Sequence, residues 1–188
     1  MTITNVEPWL RGTLTEVDAV RRAVLHALEL AREDVGRWSA KLSDVDLELQ
    51  PLSLPAVGRQ MRHIVRSLDR LLTYAEGRQL SAEQLQDLKT EGDASVSRND
   101  LFAEFESGIS SAMERVRAFR PDGYGEARVV GRKMLPTTVA GLLVHCADHT
   151  QRHVGATGDN GQSDRRNAVL EVAAPQWTSS AVCMMVSQ

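Results

Sequence analysis

Three of the five histidines in the chain lie at intervals of four residues, at His145, His149 and His153. On an α-helix this interval places the side chains along one side, one turn apart. Two imidazoles one turn apart can turn a ring nitrogen toward the same divalent cation, at about 2 Å from each nitrogen. The spacing therefore predicts half of a metal site, and the remaining ligands must come from elsewhere in the chain.

An apolar pattern passes through the same helix. Its residues follow each other at steps of three and four, which is typical of the helix side that faces a core. They are Val139, Leu142, Cys146, His149 and His153. A buried imidazole needs a partner for each ring nitrogen, and a metal ion supplies one of the two. Two interpretations stay open: metal ligands, or core histidines satisfied by hydrogen bonds.

The composition is that of a globular protein rich in helix. Of the 188 residues, 42% are hydrophobic, 25% are charged and only 4% are aromatic, which favours helices over sheets. The net charge of −3 gives no reason to expect a nucleic-acid partner. The sequence contains no recognisable signal peptide or membrane span, so we expect a cytoplasmic protein. The cysteines, Cys146 and Cys183, predict no disulfide framework, and Cys146 is expected to be a small packed residue.

The first helix of the chain is predicted from apolar residues that recur at helical spacing. A capping box at Thr15 and Asp18 is expected to start it, and it should end near Lys41. His26 lies among charged residues on the polar side of this helix, so it is expected at the surface. Residues 44–51 interrupt the pattern and are expected to be irregular.

Further helices are predicted downstream. In chain order these are a second amphipathic helix from Ser53 to near Gly77, a short polar helix over 81–89, a flexible connection, a third amphipathic helix capped by Ser97, a long loop over 120–135, and the histidine helix, capped by Thr137 or Thr138. Four amphipathic helices with long connections predict an all-α fold, a four-helix bundle.

In such bundles, metal sites form between facing helices from side chains that point inward. Carboxylate sites for two metals need Glu-x-x-His pairs, which this chain lacks, so a site with one metal and several histidines remains. His63 lies at the edge of the apolar face of the second helix, beside Ile64. By position alone, His63 is either a third ligand or a surface residue.

Two segments together resemble the DinB/YfiT-like superfamily of metalloenzymes. They are LPAVGRQMRHI, residues 54–64, and HTQRHVG, residues 149–155. In that superfamily a histidine of the second helix and an HxxxH pair of the fourth helix bind one divalent metal ion. The resemblance covers roughly residues 10–155, and its elements occur in the expected order.

The resemblance implies a bundle of up-down-down-up topology over residues 1–155, often dimeric, with one divalent ion bound by His63, His149 and His153. Zinc and nickel are the first candidates for that ion, followed by iron, copper and manganese. His145 is implied as a residue of the pocket or of the shell around the ligands. Members of known activity include transferases that use low-molecular-weight thiols, and maleylpyruvate isomerase.

Two functions are consistent with these expectations. The first is a metal-dependent enzyme, such as a thiol-dependent S-transferase acting on an electrophilic small molecule, with an open position on the ion. The second is a non-catalytic bundle stabilised by a metal, which serves in a stress response or in dimer formation. Asp148 should point about 100° away from His149 on the helix, which favours an open site. A DNA-binding role is not expected, because the arginines at 62, 66 and 70 should form a solvated helix face.

The sequence departs from the family after Gly155. Ala156 replaces the family's glutamine, and residues 157–161 are rich in turn formers, so we expect the histidine helix to end within a turn of Gly155. One set of codons, with a single base removed, would restore Gly-Gln and extend an amphipathic helix. The segment 156–188 is therefore either a frame-shifted ending or a divergent tail.

Overall fold

The computed structural model describes residues 6–50, 55–91 and 97–166, the segment 158–166 as backbone only. The described chain is mostly helical, which confirms the all-α class in its broad sense, and it also contains one small two-stranded sheet. Its α-helices are α1 (Ala19–Ser39), α2 (Asp44–Glu48), α3 (Val57–Ala75), α4 (Ala82–Thr90), α5 (Arg98–Ala118) and α6 (Val139–Arg166). The strands are β1 (Ala127–Val130) and β2 (Leu135–Thr138).

Helix α1 begins later than predicted and buries a histidine that was expected at the surface. Asp18 itself is the N-cap and accepts hydrogen bonds from the first-turn amides, so the proposed box with Thr15 is wrong. His26 is only 6% exposed. The segment before α1 explains this burial, because Arg11 pairs with two glutamates of α1 and Thr13 Oγ1 lies 3.1 Å from His26 Nε2. The sequence pattern of α1 alone contains no sign of this covering segment.

Two segments expected to be irregular contain regular structure. Residues 44–48 form the short helix α2, because Ser43 and Asp46 make a complete capping box. The loop expected over 120–135 contains most of an antiparallel hairpin of residues 127–138, in which Val130 pairs with Leu135. Gly131 turns the hairpin with a φ of 68°, a conformation that glycine adopts without strain.

The core lies where α1, α3, α5 and α6 pack together. Helix α3 packs against both α5 and α6, and α1 packs against α6 and α5. A Cβ atom added to Gly108 of α5 would lie 2.5 Å from Val65 Cβ of α3, so these two helices approach closely. Helices α3 and α6, which carry the predicted ligands, therefore pack against each other within this core.

The histidine helix α6 starts as predicted but ends much later. Thr138 Oγ1 accepts a hydrogen bond from the Gly141 amide, 3.1 Å away, which confirms the predicted start. The expected end near Gly155 is wrong, because α6 continues to Arg166. Buried Thr157 donates its hydroxyl to the His153 carbonyl at 2.8 Å. A glycine inside a helix costs only about 1 kcal/mol, so glycine-rich sequence weakens a helix without stopping it.

None of the helices in the described ranges is both long enough and apolar enough to cross a membrane. Several sequence expectations concern other ranges: the start of α3 at Ser53, the connection before Ser97, and the chain after residue 166 lie wholly or partly outside the described residues.

Candidate metal centre

The structure brings together His63, His149 and His153. His63 lies two turns into α3, and the other two lie one turn apart on α6, which packs against α3. One ring nitrogen from each of the three lies within 4.8 Å of the others. Among the histidine, cysteine, aspartate and glutamate side chains of the described ranges, these three histidines form the cluster that could hold a metal ion. His63, whose sequence position alone left it as either a third ligand or a surface residue, therefore lies beside His149 and His153.

His63 is oriented by a carboxylate. Its Nδ1 lies 3.1 Å from Glu91 Oε2, so the imidazole donates its Nδ1 proton to that carboxylate. The lone pair then lies on Nε2. This nitrogen faces His149 Nε2 at 3.4 Å. His63 thus presents the atom that a cation would bind toward the other two histidines.

His153 is oriented in the same way by an amide. Its Nδ1 donates to Gln60 Oε1 at 2.7 Å, and Gln60 is buried in the first turn of α3. As with His63, the lone pair of the neutral ring is therefore on Nε2. Gln60 precedes His63 by three residues, so the sequence could have indicated it as a neighbour on the same helix side.

His149 is the most buried of the three, with 6% of its surface exposed. Its Nδ1 is buried without a hydrogen-bond partner among the described residues. The other ring nitrogen, Nε2, makes only a long 3.4 Å contact to His63 Nε2, so it too lacks a strong hydrogen bond. Two nitrogens bound to one tetrahedral ion at about 2.0–2.1 Å are about 3.3–3.4 Å apart, which matches the observed separation. The donor set and this spacing fit a divalent cation.

Burial within the cluster favours the neutral forms of His149 and His153, because it lowers the pKa of each. Burial lowers the pKa of His149 to about 2, and the neighbouring histidines add to this effect. Burial also lowers the pKa of His153 to about 4, again assisted by His63. Neutral imidazole is the form that binds metals, so both residues are ready to act as ligands at neutral pH without first losing a proton.

Glu91 is the residue of this centre that the sequence did not reveal. It follows α4 as the C-cap residue, and its carboxylate lies between His63 and Arg70. Burial by itself would raise its pKa, but the hydrogen bond from His63 and the positive charge of Arg70 lower the pKa overall. No motif or periodic pattern marks a glutamate after a short polar helix. Only the packing of α4 on α3 places it here.

His145 and Asp148 lie beside the cluster and outside the group of three. The ring of His145 is 5.6 Å from that of His149, centre to centre, and its Nδ1 is 3.9 Å from Asp148 Oδ2. Asp148 is largely exposed and pairs with Arg152 one turn later. Neither residue belongs to the group of three whose ligand atoms lie within 4.8 Å of one another. Burial lowers the pKa of His145 as well.

The arginine row of α3 is not the solvated face expected from the sequence. Arg70 is 1% exposed and Arg62 is 7% exposed. Arg66 and Arg62 both pair with Glu104 of α5, at 2.8 and 3.5 Å, and Arg70 pairs with Glu91. These arginines therefore form ion pairs with residues outside α3.

Comparisons with known proteins identify a family for most of the chain. A family model described as the DinB superfamily matches residues 16–156. This range includes all three clustered histidines together with Gln60 and Glu91. The search of curated proteins and the search of solved structures give no match.

Proposed function

The chain belongs to the DinB superfamily, and from this we propose that it is a metal-dependent enzyme with one divalent cation held by His63, His149 and His153. The convergence of three imidazoles, each with a ring nitrogen within 4.8 Å of the others, is the observation that carries the proposal. Zinc and nickel are the first candidates because imidazole suits both, and iron, copper and manganese follow.

His63, His149 and His153 would hold the cation, and the chemistry it would supply is a lowered pKa of a thiol or water bound beside these residues, which makes a nucleophile available at neutral pH. We propose that a low-molecular-weight thiol is activated there for transfer to an electrophilic small molecule. Partial solvent exposure of His63 and His153 supports access from outside. The exposed position of Asp148 supports it as well, since a fourth protein ligand would close the site.

The roles of the protein residues follow from their contacts. His149, the most buried of the three histidines, is proposed as the ligand farthest from solvent. Glu91 and Gln60 each accept the Nδ1 proton of one ligand and thereby hold its Nε2 toward the centre. His145, whose ring borders that of His149, is proposed as a pocket residue.

For the whole chain we propose an up-down-down-up four-helix bundle formed by α1, α3, α5 and α6, assembled as a homodimer. The shared core of these helices supports the bundle. We assign residues 1–155 to this domain and 156–188 to a tail of different origin, frame-shifted or divergent. The continuation of α6 past Gly155 weakens the frame-shift explanation, and the coding DNA would decide between the two.

The alternative is a non-catalytic bundle that a metal stabilises, in a stress response or in dimer formation. Metal titration followed by ligand exchange separates the two functions. If the chain is an enzyme, we expect it to bind one equivalent of cobalt(II) or zinc. The visible spectrum of the cobalt form should then shift when a small thiol is added. One bound metal with a spectrum that no thiol alters would favour the structural function. Absence of stoichiometric binding would reject both.

A further inference from the structure

The three clustered histidines differ in what supports them. Glu91 Oε2 accepts from His63 Nδ1 at 3.1 Å, Gln60 Oε1 accepts from His153 Nδ1 at 2.7 Å, and His149 Nδ1 has no hydrogen-bond partner among the described residues. Of these supports, only the carboxylate is charged. A carboxylate behind an imidazole both fixes its tautomer and makes its other nitrogen a stronger donor to a metal. His63 is therefore set apart from the ligands of α6.

Glu91 is itself held from the other side. Its Oε1 lies 3.3 Å from Arg70 Nη2, and the same Nη2 donates to Ser67 Oγ at 3.0 Å. The side chain of Glu91 is only 12% exposed and that of Arg70 only 2% exposed. Glu91 therefore has one oxygen on the candidate ligand and one on a buried cation, so that rotation of the carboxylate would break both contacts.

The backbone that carries Glu91 depends on polar contacts to α3. Helix α4 buries none of its residues. Its position comes from Gln84, whose amide donates to Asp69 Oδ2 at 2.6 Å and to Thr73 Oγ1 at 2.9 Å, and from Arg66, which donates to the Asp87 carbonyl at 3.3 Å. These contacts hold the carboxyl end of α4 against the helix that carries His63.

We propose that Glu91 is a positioning residue of the metal centre, which holds His63 in the Nδ1-protonated tautomer and is anchored by Arg70. This inference rests on the proposed function for its effect on metal binding. Its effect on the His63 tautomer holds in the metal-free protein as well. Glu91 does not bind the cation, and it acts on affinity only through His63.

Two substitutions separate positioning from simple neutralisation of Arg70. Glu91→Gln keeps the length of the side chain and an acceptor oxygen but removes the charge. Glu91→Asp keeps the charge beside Arg70 but withdraws the carboxylate from His63 by one methylene. Glu104→Gln is the matched control, since Glu104 also pairs with arginines of α3, namely Arg62 and Arg66.

Two measurements are made on each full-length variant. Zinc affinity is measured by competition with a chromophoric chelator, and the imidazole tautomer of His63 is read from NMR of the ring nitrogens in the metal-free protein. We expect both Glu91 variants to bind zinc about 10- to 100-fold more weakly, the range typical for loss of such a partner. Glu104→Gln should stay within about threefold of the parent protein. The Nδ1 proton signal of His63 should weaken in Glu91→Asp and remain in Glu104→Gln.

Parent affinity in Glu91→Asp would overturn the proposal, because the charge beside Arg70 would then be sufficient. An equal loss of affinity in Glu104→Gln would also overturn it, since any disturbed ion pair would then have the same effect. If the parent protein binds no zinc, the proposed function fails. In that case the tautomer still tests Glu91: an unchanged Nδ1 signal in Glu91→Asp contradicts its positioning role, and a lost signal supports it.

Discussion

Replacing His149 with alanine should remove the stabilisation that a bound metal gives to the fold. His149 is 6% exposed, its Nδ1 has no partner among the described residues, and its Nε2 faces His63 at 3.4 Å. In the metal-free protein, alanine leaves a cavity but also removes a buried, unpaired polar atom that costs about 1–3 kcal/mol. These effects oppose each other, so we expect a net loss of only about 1 kcal/mol.

The effect should be larger when metal is present. A metal at 100 times its dissociation constant stabilises the folded parent protein by about 2.7 kcal/mol. For a domain of this size that corresponds to a rise in Tm of about 5–11 °C. His149→Ala retains two of the three clustered imidazoles and should lose most of this rise. The difference in stability between parent and variant should therefore grow from about 1 to about 4 kcal/mol when zinc is added.

The assay is thermal unfolding followed by circular dichroism, with zinc and with chelator. His26→Ala is the matched control, because His26 is equally buried at 6% exposure but contacts Thr13 outside the cluster. The loss of stability caused by His26→Ala should be the same with zinc and with chelator. A full metal-induced rise in Tm in His149→Ala would refute the assignment of this residue, and an equal loss of the rise in His26→Ala would show that any buried histidine has this effect.

Three further predictions concern pH, packing and the buried thiol. The free energy of unfolding of the metal-free protein should fall by roughly 2 kcal/mol for each of His149 and His153 when the pH is lowered from 7 to 5. The pKa values of these residues are lowered to about 2 and 4 in the folded protein, so in this pH range the unfolded chain binds protons that the folded chain does not. His149→Ala should halve this loss in urea titrations, and an unchanged pH slope would contradict the reasoning. Gly108→Ala should lower stability by about 1–3 kcal/mol, because its Cβ would lie 2.5 Å from Val65 Cβ. Gly36→Ala, with no atom within 4 Å of the added Cβ, should not destabilise α1, and equal urea midpoints for the two variants would contradict this. Burial raises the pKa of Cys146 to about 12, so in a Cys183→Ser background alkylation should be undetectable until the protein is denatured. Rapid labelling of the folded protein would count against this.

Patterns within one element were readable from the sequence. The interval between His149 and His153 predicts that they share a helix side, and the start of α6 at Thr138 was predicted as well. Helix α3 ends just before Gly77, as expected, and Gly77 has a φ of 75°. Each of these features depends on neighbours within a few residues, and helical geometry alone relates them. The family resemblance added His63, which its own neighbourhood left undecided.

Contacts between distant segments were decided only by tertiary structure. His26 looked exposed because the pattern of α1 contains no information about the segment with Arg11 and Thr13 that covers it. The expected end of α6 was wrong because turn-forming residues only weaken a helix that other contacts continue to support. Glu91 reaches His63 from 28 positions further along the chain because α4 packs on α3, and neither composition nor spacing encodes that distance. Periodicity determines which side of a helix faces inward, but which side chain it meets there depends on how the helices are packed.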